Sequence, residues 1–179
     1  MKIPLDPAHA KSLTFQDYAP APAIDGVFTA PLTKHRAIEG SFLEYLRLSG
    51  GKVEGLEADF PVRQVSLARA AGGRINAFHV HPKQVQNELW TVIEGAMQVW
   101  LVDIRAGSPT RGVKRRFLLS GEQPALLHIP AGVAHGYQAA PGGALLLYAM
   151  DSQFDPADPN EGRLPWDHFG RELWEEDRG

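Results

Sequence analysis

The sequence predicts an all-β fold, a jelly-roll barrel of the double-stranded β-helix type. From Val27 onward, short segments of alternating or apolar character are separated by Gly, Pro and Asp at a spacing of roughly 8–12 residues, the pattern of a double-sheet β protein. The one helix-like stretch is Phe169–Glu176. A chain of 179 residues is long enough for a single domain with a buried core.

Two parts of unequal size are predicted along the chain. Residues 1–24 are rich in Pro and Ala and predict an N-terminal arm with little regular structure. Residues 25–179 form the predicted barrel domain. Turns are predicted at Glu94-Gly95 and at Ala140–Gly143. The predicted strands are Ser41–Leu48, Val62–Ala70, Asn76–His81, Glu88–Glu94, Ala96–Asp103, Lys114–Leu119, Ala125–Ile129, Gly136–Ala139 and Ala144–Ala149.

The composition excludes several classes of partner. A net charge of -3 gives no basic surface for nucleic acid, and 22% charged with 44% hydrophobic residues is ordinary for a globular domain. No apolar run approaches the length of a membrane span, and the N-terminus lacks the pattern of a signal peptide. The absence of cysteine excludes disulfides and thiolate metal sites. It fits a cytoplasmic protein, which is the location we expect.

Three histidines and one glutamate have the spacing of a converging site. His79 and His81 are one residue apart on a predicted strand, so their side chains share a face. Glu88 follows seven residues after His81, and with Gly95 after it the segment fits a hairpin whose return strand faces its partner. His135 arrives from a distant strand after the Pro130-Ala-Gly132 turn, and all four side chains would project into the barrel.

This mixture of imidazole and carboxylate groups favours a divalent metal ion. We predict that His79, His81, Glu88 and His135 bind zinc, iron, manganese or nickel, with ligand distances of about 2.0–2.2 Å. The alternative interpretation is structural. In it the two strand histidines are half-buried, Glu88 is solvated and His135 caps a turn.

The same residues carry a family resemblance. Gly73, His79-Val-His81, Glu88 and Gly95 resemble the first cupin motif, although the gap from histidine to glutamate is slightly long. The Pro130–His135 segment is similar to the second motif, whose usual terminal Asn is Ala139 here. From about residue 24 onward the chain more narrowly resembles the dTDP-4-dehydrorhamnose 3,5-epimerase family. The stretches that carry this likeness are Gly26-Val-Phe28, Glu39-Gly-Ser-Phe42, Val102-Asp-Ile-Arg105, Ser108-Pro-Thr110, Leu119-Ser120 and Ile129–Tyr137.

The resemblance implies a mechanism of proton transfer next to a carbonyl in a metal-free pocket. A histidine abstracts the proton, a tyrosine delivers one from the opposite face, and basic side chains hold the enolate and the diphosphate. These two roles fall on His79 and Tyr148. Gln64, Asn76 and Tyr137 are the expected substrate contacts.

Several positions depart from the family pattern. Asn76, Glu88 and Glu39 replace basic residues, which removes charges that would stabilise an enolate or a diphosphate. The family aspartate that orients the histidine lies beyond Trp174, where Asp177 is a weak substitute. His81 in place of a glutamine completes the metal-ligand set, and a metal could then act as the Lewis acid. His79 cannot be a metal ligand and a free base in one state, so Tyr148, a bound hydroxide or an unliganded carboxylate would then be the base.

Three functional classes follow from these residues. The first is a metal-assisted epimerase or isomerase acting on a keto-sugar, either free or nucleotide-linked. The second is a metal-dependent cupin of another reaction class, such as an oxygenase or a sugar-phosphate isomerase. The third is a non-catalytic sugar-binding cupin. The resemblance also implies a homodimer, to which the Pro-rich arm could contribute.

Overall fold

The computed structural model of the protein describes residues 3–175. Residues 3–23 are exposed, and their only regular structure is one helical turn, α1 (Pro7–Ala10). None of the helices in the described part of the chain is both long and apolar enough to cross a membrane.

The strands account for nearly all regular structure after residue 24. Their bounds are β1 Phe28–Pro31, β2 Lys34–Ala37, β3 Gly40–Leu43, β4 Leu48–Ser49, β5 Lys52–Val53, β6 Gln64–Ala70, β7 Ile75–Val80, β8 Glu88–Asp103, β9 Lys114–Ser120, β10 Ala125–Ile129, β11 Val133–Met150 and β12 Gly162–Arg163. A short 3-10 helix, Arg171–Trp174, follows them.

Two long antiparallel strands, β8 and β11, form the backbone of the fold. The first half of β8 and the second half of β11 belong to one sheet, in the order β1-β10-β8-β11-β6. The other halves belong to a second sheet, in the order β9-β8-β11-β7-β12. Since both long strands pass from one sheet into the other, the two sheets close over a common interior. The predicted all-β jelly roll is confirmed.

The two predicted turns are bends inside the long strands, so the hairpin expected after Glu88 is wrong. Gly95 has φ 72° and lies opposite Ala144, where the β8–β11 register shifts. A Cβ on Gly95 would lie 2.1 Å from the Gly143 carbonyl oxygen, so the backbones approach as only glycine allows. A local irregularity of this kind bends the strand pair without ending it.

Two further element predictions need correction. The strand expected over Ser41–Leu48 is split, because β3 pairs with β2 and β4 pairs with β5 in separate two-stranded hairpins. The expected helix Phe169–Glu176 is only the 3-10 turn, and Glu176 lies outside the described residues. Gly170 precedes that turn, and no side-chain hydrogen bond caps it.

The main core fills the space between the two sheets. Its members include Val99, Leu101, Leu127 and Val133, each no more than 1% exposed. Side chains on the outer faces form two smaller clusters, one around Phe60 and Leu89 and one around Phe78 and Trp174. At the end of the barrel near His79 the interior is open, and this opening is the candidate site.

Candidate active site

A cavity of about 370 Å³ opens between the two sheets. This volume lies at the small end of the range for small-molecule sites, roughly 300–1,000 Å³. The residues proposed from the sequence for catalysis, substrate contact and metal binding all line it: Gln64, Asn76, His79, His81, Glu88, His135, Tyr137 and Tyr148. Glu39 is exposed in the β2–β3 turn and does not line the cavity.

Strand register brings these side chains together. His79 on β7 is the cross-strand partner of His135 on β11, and the two rings lie 6.0 Å apart. Tyr148, near the end of β11, is paired with Trp90 on β8 and with Ser66 on β6. His79 and His81 therefore approach from one sheet, and Tyr148 approaches from the other.

His81, Glu88 and His135 form a compact cluster. The distance from His81 Nε2 to Glu88 Oε1 is 2.9 Å, and from His135 Nε2 to Glu88 Oε2 it is 3.7 Å. The three candidate ligand atoms lie within 4.8 Å of one another. The Trp90 indole N–H donates to Glu88 Oε2 at 2.6 Å, and the Gln86 amide donates to Oε1 at 2.9 Å. The alternative interpretation of Glu88 as a solvated residue is wrong, because only 4% of it is exposed.

Backbone carbonyls fix the tautomers of the two clustered histidines. His81 Nδ1 lies 2.5 Å from the Asn160 carbonyl oxygen, and His135 Nδ1 lies 3.0 Å from that of Val133. A carbonyl only accepts hydrogen bonds, so each Nδ1 carries the proton. Each Nε2 then faces the Glu88 carboxylate as an acceptor. Three acceptors that meet in a buried space need a shared cation, either a proton or a metal ion.

The electrostatics of the cluster agree with that requirement. Burial alone would raise the pKa of Glu88, but the hydrogen bond from His81 and the charges of His135 and His81 lower it to about 2. Burial also opposes protonation of His81, yet the hydrogen bond and charge of Glu88 raise its pKa overall. Burial lowers the pKa of His135. A proton in this cluster therefore resides on His81, with Glu88 as its counter-ion.

His79 lies outside the three-residue cluster, which differs from the predicted four-ligand set. Its Nε2 is 3.1 Å from Asn76 Oδ1, and its Nδ1 is 3.8 Å from Glu161 Oε1. Neither of these neighbours belongs to the cluster of His81, Glu88 and His135. Burial, together with the charges of His135 and Arg163, lowers the pKa of His79 to about 4. The ring is therefore neutral near pH 7 and able to accept a proton.

Tyr148 remains protonated over the physiological pH range. Burial raises the pKa of its phenol, and the nearby Glu88 charge adds to this, while a hydrogen bond with Ser66 opposes it. The Trp90 ring packs against both Tyr148 and Tyr137, at centroid distances of 6.5 and 6.0 Å. The phenol therefore keeps its proton near pH 7, and its strand lies in the sheet opposite His79.

The segment 151–163 supplies site residues that the sequence did not reveal. Gln153, Asn160, Glu161 and Arg163 line the cavity, as does Gln86 from the β7–β8 loop. Glu161 pairs with Arg163 at 2.5 Å and faces His79. Nothing in the local sequence marks these residues, because the strand that places them, β12, has only two residues. The orienting acid was expected near Asp177, which lies outside the described residues.

Known proteins with similar sequences are found over most of the chain. The family model described as dTDP-4-dehydrorhamnose 3,5-epimerase matches residues 21–170. The spore coat polysaccharide biosynthesis protein SpsL of Bacillus subtilis is 37% identical over 145 residues, covering 80% of this chain and 91% of that protein. The dTDP-4-dehydrorhamnose 3,5-epimerase of Mycobacterium tuberculosis is 28% identical, covering 74% of this chain and 66% of the relative.

Solved structures share the fold. The dTDP sugar isomerase of Desulfovibrio desulfuricans superposes with a TM-score of 0.72 at 25% identity, over 84% of this chain and 92% of that one. ChmJ, a 3'-monoepimerase of Streptomyces bikiniensis solved with dTDP-quinovose, gives a TM-score of 0.69 at 26% identity, over 82% of this chain and 74% of that one.

Proposed function

The chain belongs to the dTDP-4-dehydrorhamnose 3,5-epimerase family, and on this premise we propose that it epimerises a keto-sugar by proton transfer next to the carbonyl. The resemblance found in the sequence is confirmed, and it makes the chain a sugar epimerase of the isomerase class. Among the three classes considered above, the epimerase is the one that the family supports.

One observation carries the proposed mechanism. His79 projects into the cavity from the β7 side, and Tyr148 projects into it from the opposite sheet. A sugar ring held between them presents one face to a neutral imidazole and the other to a phenol. His79 removes the proton next to the carbonyl, and Tyr148 returns a proton to the other face, which inverts that carbon.

The enolate oxygen formed in this step needs a positive neighbour. In the metal-free form of the cluster, His81 carries the proton and supplies that charge beside Glu88. In the family pattern a lysine stands at the position of Glu88, and the charge of His81 would take its place here. Trp90 and Tyr137 offer aromatic faces for packing against the sugar ring, and Gln64 and Asn76 offer amide groups for its hydroxyls.

The substrate is proposed to be a nucleotide-linked keto-sugar, since ChmJ was solved with dTDP-quinovose. A cavity of about 370 Å³ fits the sugar and leaves the nucleotide outside the barrel. The direct test is incubation of the enzyme with a dTDP-4-keto-6-deoxyhexose in deuterium oxide, followed by proton NMR. Loss of a ring proton signal next to the carbonyl, dependent on His79, is the expected result. No exchange at any ring carbon would contradict the proposal.

We further propose that a divalent metal ion can occupy the cluster of His81, Glu88 and His135. The residues fit such an ion: two Nε2 atoms and a carboxylate meet, and each Nδ1–H is held by a backbone carbonyl, the arrangement typical of metal-binding histidines. When bound, the ion would supply Lewis-acid polarisation of the substrate carbonyl. His79 then stays available as the base, since it lies outside the cluster. Elemental analysis of untagged protein tests this proposal, with about one equivalent of metal expected and none contradicting it.

The homodimer is proposed from an unpaired sheet edge. Within residues 3–175, β6 pairs only with β11, and its outward residues Val65 and Leu67 are 51% and 58% exposed. An exposed apolar edge strand favours association with another copy of the chain. Sedimentation velocity at micromolar concentration should show a dimer, and a monomer would contradict the proposal. The cytoplasmic location stays a prediction, to be checked by cell fractionation.

A further inference from the structure

The short strand β12 borders β7, the strand of the two site histidines. Gly162 pairs with Val80, and Arg163 pairs with His79. Just before β12, the Asn160 carbonyl oxygen lies next to His81 Nδ1, and the Glu161 carboxylate lies near His79 Nδ1. The two histidines share a strand face, yet each has a different neighbour from this one segment.

Asn160 is held firmly in place. It is only 7% exposed, and its side-chain Oδ1 accepts the backbone N–H of Lys83 at 2.8 Å, while Nδ2 donates to the Gln84 carbonyl at 3.1 Å. These bonds lock its own backbone carbonyl against His81 Nδ1, at 2.5 Å. His81 is therefore kept in the tautomer that directs Nε2 toward Glu88.

Glu161 is the corresponding neighbour of His79. Its Oε1 lies 3.8 Å from His79 Nδ1 and 2.5 Å from Arg163 Nη2. A carboxylate on this side favours a proton on Nδ1, which puts the lone pair on Nε2, 3.1 Å from the Asn76 side chain. The Asn76 amide next to Nε2 can present either its oxygen or its NH₂ group, so it accommodates both states of the ring. A negative charge near Nδ1 also stabilises the imidazolium formed by proton transfer.

We propose that Asn160 and Glu161 are positioning residues that assign opposite roles to the two histidines of β7. Asn160 orients His81 toward Glu88, and Glu161 makes His79 the base. The inference rests on the proposed epimerase function for the role of His79, and it adds residues from a segment without a recognisable motif. Neither residue transfers a proton to the substrate.

The Glu161 part is tested by steady-state exchange kinetics in deuterium oxide. Glu161→Gln keeps the shape and removes the charge, so kcat should fall about 100-fold while KM changes less than about threefold. Glu161→Asp should recover at least a tenth of the wild-type kcat, because it restores the charge. Asp158→Asn is the matched control, because it removes a carboxylate of the same segment that pairs with Lys83 and does not line the cavity, and its kcat should stay within about twofold of wild type. A Glu161→Gln enzyme with unchanged kcat would overturn this part.

The Asn160 part is tested without substrate, by nitrogen-15 NMR of the histidine rings. In the wild type, His81 should show a protonated Nδ1 at neutral pH. In Asn160→Ala, His81 should show a mixture of Nδ1-protonated and Nε2-protonated rings. Asn160→Asp keeps an oxygen that can accept the Lys83 N–H, so its His81 should stay protonated at Nδ1. An unchanged His81 spectrum in Asn160→Ala would overturn the assignment. The same spectra report the His79 tautomer in Glu161→Gln, so positioning is decided even if no keto-sugar exchanges and the proposed function fails.

Discussion

Tyr148 lies directly opposite Trp90 in the β8–β11 pairing, with ring centroids 6.5 Å apart and planes inclined by 58°. The phenol is therefore held by packing as well as by its hydroxyl. Tyr148→Phe keeps that packing, so we expect the thermal midpoint to shift by only a few degrees. Product formation should fall about 100-fold or more, since the proton donor is lost. Unchanged product formation in this variant would remove Tyr148 from the mechanism.

The metal-ligand cluster predicts a specific pattern among histidine variants. His81→Asn and His135→Asn each remove an Nε2 that faces Glu88, so metal content should fall to less than about a tenth of wild type. His79→Asn is the matched control from the same strand face and should retain the metal while losing exchange activity. Inductively coupled plasma mass spectrometry of all three proteins measures this. Equal metal loss in all three variants would instead indicate the four-ligand site.

Protonation of His128 should destabilise the protein below neutral pH. Its ring is stacked on Phe28 at 4.7 Å, and its Nδ1 lies 2.7 Å from the Gly26 carbonyl oxygen. Burial lowers the pKa of His128, so the unfolded chain, with a histidine pKa of about 6.5, binds more protons. Stability is therefore lost as the pH falls below about 6.5. In urea unfolding, the free energy of unfolding should fall less between pH 7 and pH 5 for His128→Asn than for the wild type. Equal decreases would contradict the assignment to His128.

Asp103 should be a large contributor to stability at neutral pH. It is fully buried and accepts hydrogen bonds from Arg105 Nε and Nη2, both at 2.9 Å, and from Thr110 Oγ1 at 2.7 Å. The Arg105 bonds hold its pKa far below the usual range. Asp103→Asn leaves the arginine without its counter-ion and should cost about 2–4 kcal/mol at pH 7.

The pH dependence gives the control for Asp103. Because its folded pKa is depressed, the contribution is complete above the unfolded pKa of about 3.9 and is lost as the pH falls. The difference in unfolding free energy between wild type and Asp103→Asn should shrink between pH 5 and pH 2. A constant difference would show that shape, and not charge, accounts for the loss.

Gly95 should tolerate no side chain. It has φ 72°, and a Cβ would lie 2.1 Å from the Gly143 carbonyl oxygen, so Gly95→Ala should destabilise the protein by about 3 kcal/mol or more. Gly112, with φ 85° and no atom within 4 Å of its Cβ position, is the matched control. Gly112→Ala should cost only about 1–2 kcal/mol from backbone strain. Chemical denaturation measures both, and equal losses would exclude the steric explanation.

The sequence by itself determined the fold class and most of the site. Period-two alternation placed His79 and His81 on one face, and the family-specific stretches identified the barrel to which Glu88, His135 and Tyr148 contribute. Alternation is a local property of the chain, and the family-specific stretches are inherited, so both can be recognised from the sequence alone. The sequence could not distinguish a turn at Gly95 from a bend inside a long strand, because both need a glycine with positive φ.

Only the tertiary structure shows that the three site histidines have different surroundings. The register of β7 against β11 and β12 separates His79 from the cluster of His81, Glu88 and His135. Asn160 and Glu161 reach these histidines from about eighty residues away along the chain, through a two-residue strand with no pattern of its own. Hydrogen-bond partners and the pKa values they set depend on distances in space, and a sequence of residues does not contain those distances.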